Sequence, residues 1–581
     1  MTRFPVLNVI SAYMGYLSRR NKIAILTFSC LSAILTILEL LAVWMSVQII
    51  QISSAIAQRK NVPTINIDIF KNLFQNLELT QKLLYLALVT FSIFLLRSLF
   101  QISLNRRLLQ NLGKSAAMIS ASGIKNLVKQ NILAANHSKL SEVEYSLTTG
   151  IDKAVLTIIG SFSILISDVI LIIVITISLF IYDVPTAMVL VLFGITSFVF
   201  VNRFATKKLK TIGRVKTNLD ISLSAAFRDA ISVAGEARDT NLYSELLLNV
   251  ERKRLKQGDL YSLQTIFPYI SKYVLELGFL FFAGVLSAYK LAMGTIVDAA
   301  SALGLLFLGG SRLTPALLRI QQSSQAIAGA LGPAEQALEV LISAEKEAKL
   351  IKNYRFLSPP KIEVLELDYG WSKENLLISK LSVEILPKQL TCIVGKTGIG
   401  KTTFLRLLMG DLQPVSGRIE YLETPITSNQ ESKSLVYMPQ EPHLMHENLA
   451  HNLFLKKNEY ENRRNEIRNL FAKLDLSTLL NVMDDTSLEP TSYNNKLNEL
   501  SKGEKQRLGI VRALLQKTYL YIFDEPTSAL DAKTSDAAIK LILELSKTAT
   551  VVVVTHDKKV FSRADKLIEL DSYVKTSKAI N

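Results

Sequence analysis

Six stretches of the chain, 23–50, 83–104, 155–181, 185–204, 266–289 and 295–320, run with few charged residues for at least the roughly 20 positions a helix needs to cross a bilayer. They predict an α-helical membrane domain of six spans over residues 1–343. The connections alternate in length. Residues 182–184 and 290–293 make minimal links, whereas 105–153 and 205–265 are long. Between the first two spans, Phe70, Leu73, Phe74 and Leu77 fall at i, i+3, i+4, i+7, the pattern of a short amphipathic helix. Such a helix either lies on the outer membrane surface or packs on the protein itself.

Charge sets the orientation expected of these spans. Arg106, Arg107, Lys114, Lys125, Lys129, Lys207, Lys208, Lys210, Arg214 and Lys216 lie in the long connections, Arg203 ends the fourth span, and Arg19, Arg20 and Lys22 precede the first. Basic segments stay on the cytoplasmic side. The N-terminus and everything after the sixth span are therefore expected in the cytoplasm, in a multi-pass protein of the plasma (inner) membrane. The chain of 581 residues has a net charge of +16 and is 49% hydrophobic, with a mean hydropathy of +0.28. The excess charge reads as a topology signal, and no nucleic-acid partner is needed to explain it. Two cysteines, Cys30 and Cys392, are too few and too far apart for a disulfide framework or a cysteine metal site. The first apolar run is too long for a signal peptide and carries Glu39, so no cleavable leader is expected.

Glu39, Arg97, Asp168, Glu276, Asp298 and Arg312 lie within spans, where ionised groups are costly. Either they pair across helices and hold the bundle together, or Arg97 and Arg312 meet an anionic group of a substrate. Gly309-Gly310 and Pro315 flank Arg312, a combination that favours a kink.

Beyond residue 343 the chain turns charged (Glu345, Lys346, Glu347, Lys349) and reaches Pro359-Pro360. Short β-like runs then alternate with helical ones, so residues 344–581 predict an α/β domain. Within it, 390–394 reads as a buried strand, followed by Gly395-Lys-Thr-Gly-Ile-Gly-Lys-Thr402 and a helix over 401–409. A strand, a glycine loop and a helix in that order form a phosphate-binding loop. Gly395, Gly398 and Gly400 let backbone N–H groups close around phosphates. Lys401 reaches the β- and γ-phosphates of ATP, Thr402 offers its hydroxyl to Mg²⁺, and Thr403 continues the binding segment. A second strand, 519–523, ends in Asp524-Glu525. Asp524 stands where Mg²⁺ is held, and Glu525 where a carboxylate orients or deprotonates the attacking water. A third, 551–554, ends in Thr555-His556. The fold class expected is thus an α-helical six-span membrane domain followed by an α/β phosphate-loop ATPase domain.

This constellation resembles the ATP-binding cassette transporters over essentially the whole chain. Leu500-Ser-Lys-Gly-Glu504 with Lys505-Gln506-Arg507 looks like the family's signature motif, Gln440 its Q-loop, Ser528-Ala-Leu-Asp531 its D-loop and His556 its switch histidine. The resemblance implies that Gln440 touches nucleotide and Mg²⁺, that His556 acts with Glu525 in catalysis, and that Ser501 and Gly503 complete the site of a second chain. It also implies an aromatic stacked on adenine, Trp371 or else Tyr369. Two departures stand out. In the signature, Lys502 replaces a glycine and Glu504 a glutamine, and the acidic, glycine-containing stretch that exporters often carry before it is absent from 493–499; both bear on hydrolysis rate more than on ATP binding. Lys502 clashes, adds a cation near the γ-phosphate, or turns to solvent.

One membrane domain fused to one nucleotide domain resembles the exporter half-transporter, which implies a homodimer with coupling helices near 131–141 and 237–246. The membrane domain is similar to bacterial lipid-linked oligosaccharide flippases at Ile37-Leu-Glu39, Arg97-Ser-Leu99, Ser167-Asp168, Leu275-Glu276, Arg312-Leu-Thr-Pro315 and Arg319-Ile320. That resemblance implies an ATP-driven flippase whose partners are membrane lipid and an amphipathic, anionic glycolipid. Exporters of peptide, lipid or drug cargo, and membrane ATPases with a gating role, share the same sequence features.

Overall fold

The computed structural model divides into two units, Met1–Lys349 and Leu350–Asn581. It describes residues 5–57, 79–128, 137–182, 184–234, 241–293, 296–348, 355–370, 376–422, 433–445, 448–476, 479 and 500–573.

The described residues of the first unit are almost all helical. In chain order its helices are α1 (Val6–Tyr16), α2 (Arg19–Ala57), α3 (Leu79–Val128), α4 (His137–Tyr145), α5 (Gly160–Tyr182), α6 (Val184–Val201), α7 (Lys207–Val233), α8 (Asn241–Met293) and α9 (Ile296–Ala348). π-helical turns at Ser146–Gly150, Lys153–Ile159 and Asn202–Thr206 lie between α4 and α5 and between α6 and α7. At 1.5 Å per residue, the 50 residues of α3 extend about 75 Å, against a hydrocarbon core of about 30 Å. The long polar connections are therefore largely continuations of the spanning helices beyond the bilayer.

Among the described residues, four stretches are long and apolar enough to span: Leu83–Val128, Leu140–Ile181, Val184–Val233 and Ser244–Ala292. These contain the second to fifth of the six expected spans. The first and sixth fall on α2 and α9, where several side chains lie outside the described residues. The amphipathic segment from Phe70 to Leu77 lies wholly outside them. Of the two coupling segments, only 137–141, in α4, and 241–246, in α8, are described. Helix α9 runs without interruption through Pro315.

Leu84, Phe91, Leu95, Phe100, Ile177 and Phe281 point outward. Lipid tails are as apolar as these side chains, so the bundle gains little by burying them. Beyond the expected spans, glycines let the extensions of α7 and α9 approach closely. A Cβ on Gly213 of α7 would sit 2.5 Å from the Gly329 carbonyl oxygen of α9, and one on Gly332 would sit 2.8 Å from the Arg214 backbone nitrogen. At this crossing the Arg214 guanidinium grips buried Glu335 bidentately, with Nε–Oε2 2.9 Å and Nη2–Oε1 2.6 Å. The charged residues in the spans find different partners. Asp168 of α5 is buried and takes a bidentate pair from Arg319 of α9, at 2.6–3.0 Å. Glu276 pairs on its own helix with Lys272 at 3.8 Å, and the Arg312 guanidinium carbon lies 4.5 Å from the ring centre of Phe94. Cross-helix pairing thus holds for Asp168, while Glu276 departs from it.

The second unit contains two sheets that position the site. Strands β1 (Lys361–Gly370), β2 (Leu376–Ile385) and β4 (Ser416–Leu422) form an antiparallel sheet in the order β2-β1-β4. Strands β3 (Leu390–Val394), β5 (Val436–Met438), β6 (Leu520–Asp524), β7 (Thr550–Val554) and β8 (Lys566–Glu569) form a parallel sheet in the order β8-β3-β7-β6-β5. β6 and β7 are buried along their whole length because the centre of a parallel sheet is covered on both faces. Helices α10 (Lys401–Leu408), α11 (Lys502–Leu515) and α12 (Ala532–Ser546) complete the part that matters for chemistry.

The glycine crossing yields a paired prediction. Gly213→Ala drives a methyl into backbone and should destabilise the membrane unit by about 1–3 kcal/mol. Gly258→Ala, where a Cβ meets nothing within 4 Å, should be neutral or stabilising by up to about 1 kcal/mol through helix propensity. Melting curves of the two variants in one lipid system check this. Equal melting temperatures would show that the α7–α9 crossing gives way.

Candidate active site

The site grows from the carboxyl ends of three neighbouring strands. Val554 of β7 is in register with Ile393 of β3 on one side and with Asp524 of β6 on the other. The loops after β3, β6 and β7 therefore leave the sheet at one level. Ligands of open parallel sheets sit at such an edge.

The loop after β3 turns on Gly398 and Gly400, with φ of +82° and +103°, values that disfavour any side chain. A Cβ on Gly400 would also stand 2.9 Å from the Leu377 side chain of β2, which would have to shift. Helix α10 starts at the next residue, so its N-terminal N–H groups and those of the loop face the same space. Lys401 is buried at this start, and its Nζ donates to the carbonyls of Gly395 (2.8 Å) and Lys396 (3.1 Å). Nζ also lies 2.9 Å from His556 Nε2. Burial pushes the Lys401 amine down from its ordinary pKa, an effect that Glu525 and Asp524 oppose.

Thr402 donates its hydroxyl to Asp524 Oδ2 at 2.9 Å, and the Tyr437 hydroxyl reaches the same oxygen at 3.5 Å. Asp524 is buried, and desolvation raises its carboxyl above the ordinary aspartate range. Next to it, Glu525 holds a φ of +47°, a sparsely populated conformation for a residue with a side chain. Its carboxylate receives Gln440 Nε2 at 2.7 Å and lies 3.5 Å from His556 Nε2. The family resemblance implies Gln440 on nucleotide and Mg²⁺, and in this structure its amide donates to Glu525. Thr403 is half-buried in the first turn of α10, and Trp371 lies outside the described residues. Tyr369, the alternative for adenine, is buried in the hydrophobic core of this unit rather than on an open face.

The signature segment opens α11. Ser501 is its N-cap and makes a capping box with Glu504. The Ser501 Oγ accepts from the Glu504 amide at 3.2 Å, and Glu504 Oε2 accepts from the Ser501 amide and hydroxyl, each at 2.9 Å. The unusual glutamate is thus a helix-start device, visible in the spacing Ser-x-x-Glu but not read from it. Gly503 lies under the D-loop, where a Cβ would meet the Ala529 carbonyl at 2.8 Å. Lys502 makes an exposed ion pair with Glu441, 2.6 Å away and adjacent to Gln440, so of the three alternatives it lies nearest to the solvent-facing one. Asp531 of the D-loop caps α12 by accepting from the amides of Lys533 and Thr534. Tyr437 and Gln506 also join the site; Gln506 lies within the signature motif, but no role of its own had been read for either residue.

The arrangement brings together an ammonium, a hydroxyl with a buried carboxylate, a second carboxylate, an amide and an imidazole at one glycine-rich helix start. Residues 378–528 match the family described as ABC transporter. Among similar proteins, an uncharacterised ABC transporter ATP-binding protein of Haemophilus influenzae is 31% identical over 202 residues, 34% of this chain and 35% of that protein. The glutathione/L-cysteine transport system ATP-binding/permease protein CydC of Escherichia coli is 32% identical over 199 residues, 33% of each chain. The mitochondrial iron-sulfur clusters transporter ATM1 of Kluyveromyces lactis is 32% identical over 246 residues, 40% of this chain and 34% of that one. The chain spans about a third of the length of these curated relatives. The solved structure of a bacterial Atm1-family ABC exporter with ATP bound aligns with a TM-score of 0.65 over 95% of this chain and 93% of that one, at 16% identity, and so shares the fold. The carboxyl-terminal part of this chain is an ABC transporter ATP-binding domain, carried behind a helical membrane domain of the same overall fold as that exporter.

Proposed function

We propose that this chain is an ATP-driven exporter that works as a pair of identical copies, with the nucleotide domain and N-terminus in the cytoplasm. One observation carries the reading: Lys401, Thr402, Gln440, Asp524, Glu525 and His556 converge through contacts of 2.7–3.5 Å at one sheet edge. The basic extensions of the spanning helices support the orientation. The exporter-like fold of both units together supports the pairing, with Ser501 and Gly503 serving the partner's nucleotide.

The residues present suit Mg²⁺ with ATP. Thr402 and Asp524 offer hard oxygen donors at a hydrogen-bonded distance, and the buried carboxylate of Asp524 is destabilised by desolvation until a cation compensates it. When bound, the metal offsets phosphate charge. Lys401 would exchange its loop carbonyls for phosphate oxygens, and the amides around Gly398 and Gly400 would cradle them. Glu525 would orient the attacking water and take its proton, with Gln440 and His556 holding the carboxylate in place.

For cargo we favour an amphipathic anion, a lipid-linked saccharide or glycolipid. Arg312 stacked on Phe94 within the membrane unit supports an anion site there. The relatives are named for glutathione and cysteine, iron–sulfur clusters and lactococcin, so similarity in the nucleotide domain does not discriminate among cargoes.

Three outcomes follow. Glu525→Gln should lower ATP turnover by about 10²–10⁴-fold while ATP still binds, whereas Lys401→Ala should weaken binding itself. Paired turnover and affinity measurements decide between these roles, and near-parental turnover in Glu525→Gln would give the water to another residue. Asp524→Asn removes a charge whose ionised form burial disfavours. Ionisation of Asp524 costs native-state stability as pH rises from the ordinary aspartate range through its raised pKa. The nucleotide-free variant should therefore melt at or above the parent temperature at neutral pH, yet lose Mg²⁺-dependent turnover. A lower melting temperature would assign Asp524 a structural role. In liposomes, Arg312→Ala should lose lipid-stimulated ATPase and flipping of a lipid-linked saccharide without melting earlier. Normal flipping with early melting would make Arg312 structural and remove its support for this cargo. ATP turnover with no translocation of any cargo would favour a gating ATPase.

A further inference from the structure

Gln506 is 1% exposed in α11, and its carboxamide is used at both ends. Nε2 donates to the main-chain oxygen of Glu525 at 2.7 Å and to the Ser528 hydroxyl at 3.0 Å, and lies 3.5 Å from the Gln440 carbonyl. Oε1 accepts from the Ala529 amide at 2.8 Å. One side chain thus ties the loop carrying Gln440 to the loop carrying Glu525 and the D-loop. Gly503, on the same helix, sits so close to the Ala529 carbonyl that this loop has no slack on that side.

Glu525 needs such restraint. Its left-handed φ of +47° costs of the order of 1–3 kcal/mol and persists only where the surroundings over-determine it. Its amide is held by the Val554 carbonyl at 2.9 Å, and its carbonyl by Gln506 at 2.7 Å and by the Ser528 amide at 3.3 Å. These bonds fix the peptide planes on both sides of its Cα, and with them the direction in which the carboxylate leaves the chain. The hydrogen bonds of Lys401 and Thr402 go to the loop, His556 and Asp524, and Gln506 is in none of them.

We infer that Gln506 is a positioning residue for Glu525, setting the rate of ATP hydrolysis through the Glu525 main chain and leaving nucleotide affinity to other residues. The inference rests on the ATPase reading above. It requires a carboxamide, since a donor and an acceptor are both engaged. Ionised glutamate lacks the donor, and methionine lacks both at similar size.

The test compares the full chain in lipid nanodiscs with Gln506→Glu and Gln506→Met, measuring steady-state ATPase, ATP affinity and melting temperature. Expected is a loss of kcat of about tenfold to a hundredfold in both, as for a slightly misplaced catalytic group. ATP affinity should stay within about twofold of the parent, and melting should be little changed. Parental kcat in either variant overturns the inference. So does a kcat loss that tracks lost affinity or lost folding in both, which would make Gln506 an ordinary core residue. A parent that does not turn over ATP at all removes the ATPase reading and this inference together, whereas an active parent with unaffected variants removes Gln506 alone.

Discussion

Parallel pairing of β3, β7 and β6 is the constraint on which the nucleotide site depends. Val554 is matched to Ile393 and to Asp524, so the glycine loop, the two acids and His556 emerge side by side. A slip of one residue would turn each strand's side chains to the opposite face and separate these groups. The slip is resisted because β6 and β7 are apolar and covered on both faces, leaving no solvent-facing alternative for their side chains. The strain at Glu525 is tolerated for the same reason: its amide is an extension of the β6–β7 ladder, bonded to the Val554 carbonyl.

The membrane unit is held by a different balance. Apolar side chains gain little from one another when lipid is the alternative, whereas beyond the expected spans the extensions of α7 and α9 approach closely at Gly213 and Gly332, where no side chain intervenes. Charge supplies the second kind of fastening. Arg214 on Glu335 and Arg319 on Asp168 are both bidentate forks that fix the direction as well as the distance of approach. Both join α9 to a neighbouring helix, which makes α9 the element that the other helices are registered against.

The two departures in the signature segment have separate physical explanations. Glu504 closes a capping box on Ser501, satisfying backbone donors that would otherwise be orphaned at the start of α11. Lys502 and Glu441 are both largely exposed, so their ion pair adds little stability. Its effect is to join the first turn of α11 to the residue beside Gln440, whose amide holds Glu525.

The sequence by itself determined the element types and the chemistry. Long, mostly apolar runs predict spanning helices, because backbone groups in lipid can be satisfied only within a helix or a closed barrel. A strand, Gly395 to Thr402 and a helix must bind phosphate, because the spacing of glycines and Lys401 is itself the binding geometry. Tertiary structure decided what depends on which distant residues meet. Pairing of Asp168 with Arg319, 151 positions away, could not be told from pairing with Arg97 or Arg312, since hydropathy carries no information on helix neighbours. Trp371 stood first for adenine with Tyr369 as the alternative, and the fold buries Tyr369 in a hydrophobic core. Gln440 has a place in a motif, and its contact with Glu525 arises because the loops after β5 and β6 leave adjacent strands. Gln506 looked like one polar residue in a motif, and only the packing of α11 against two loops put both ends of its amide to use.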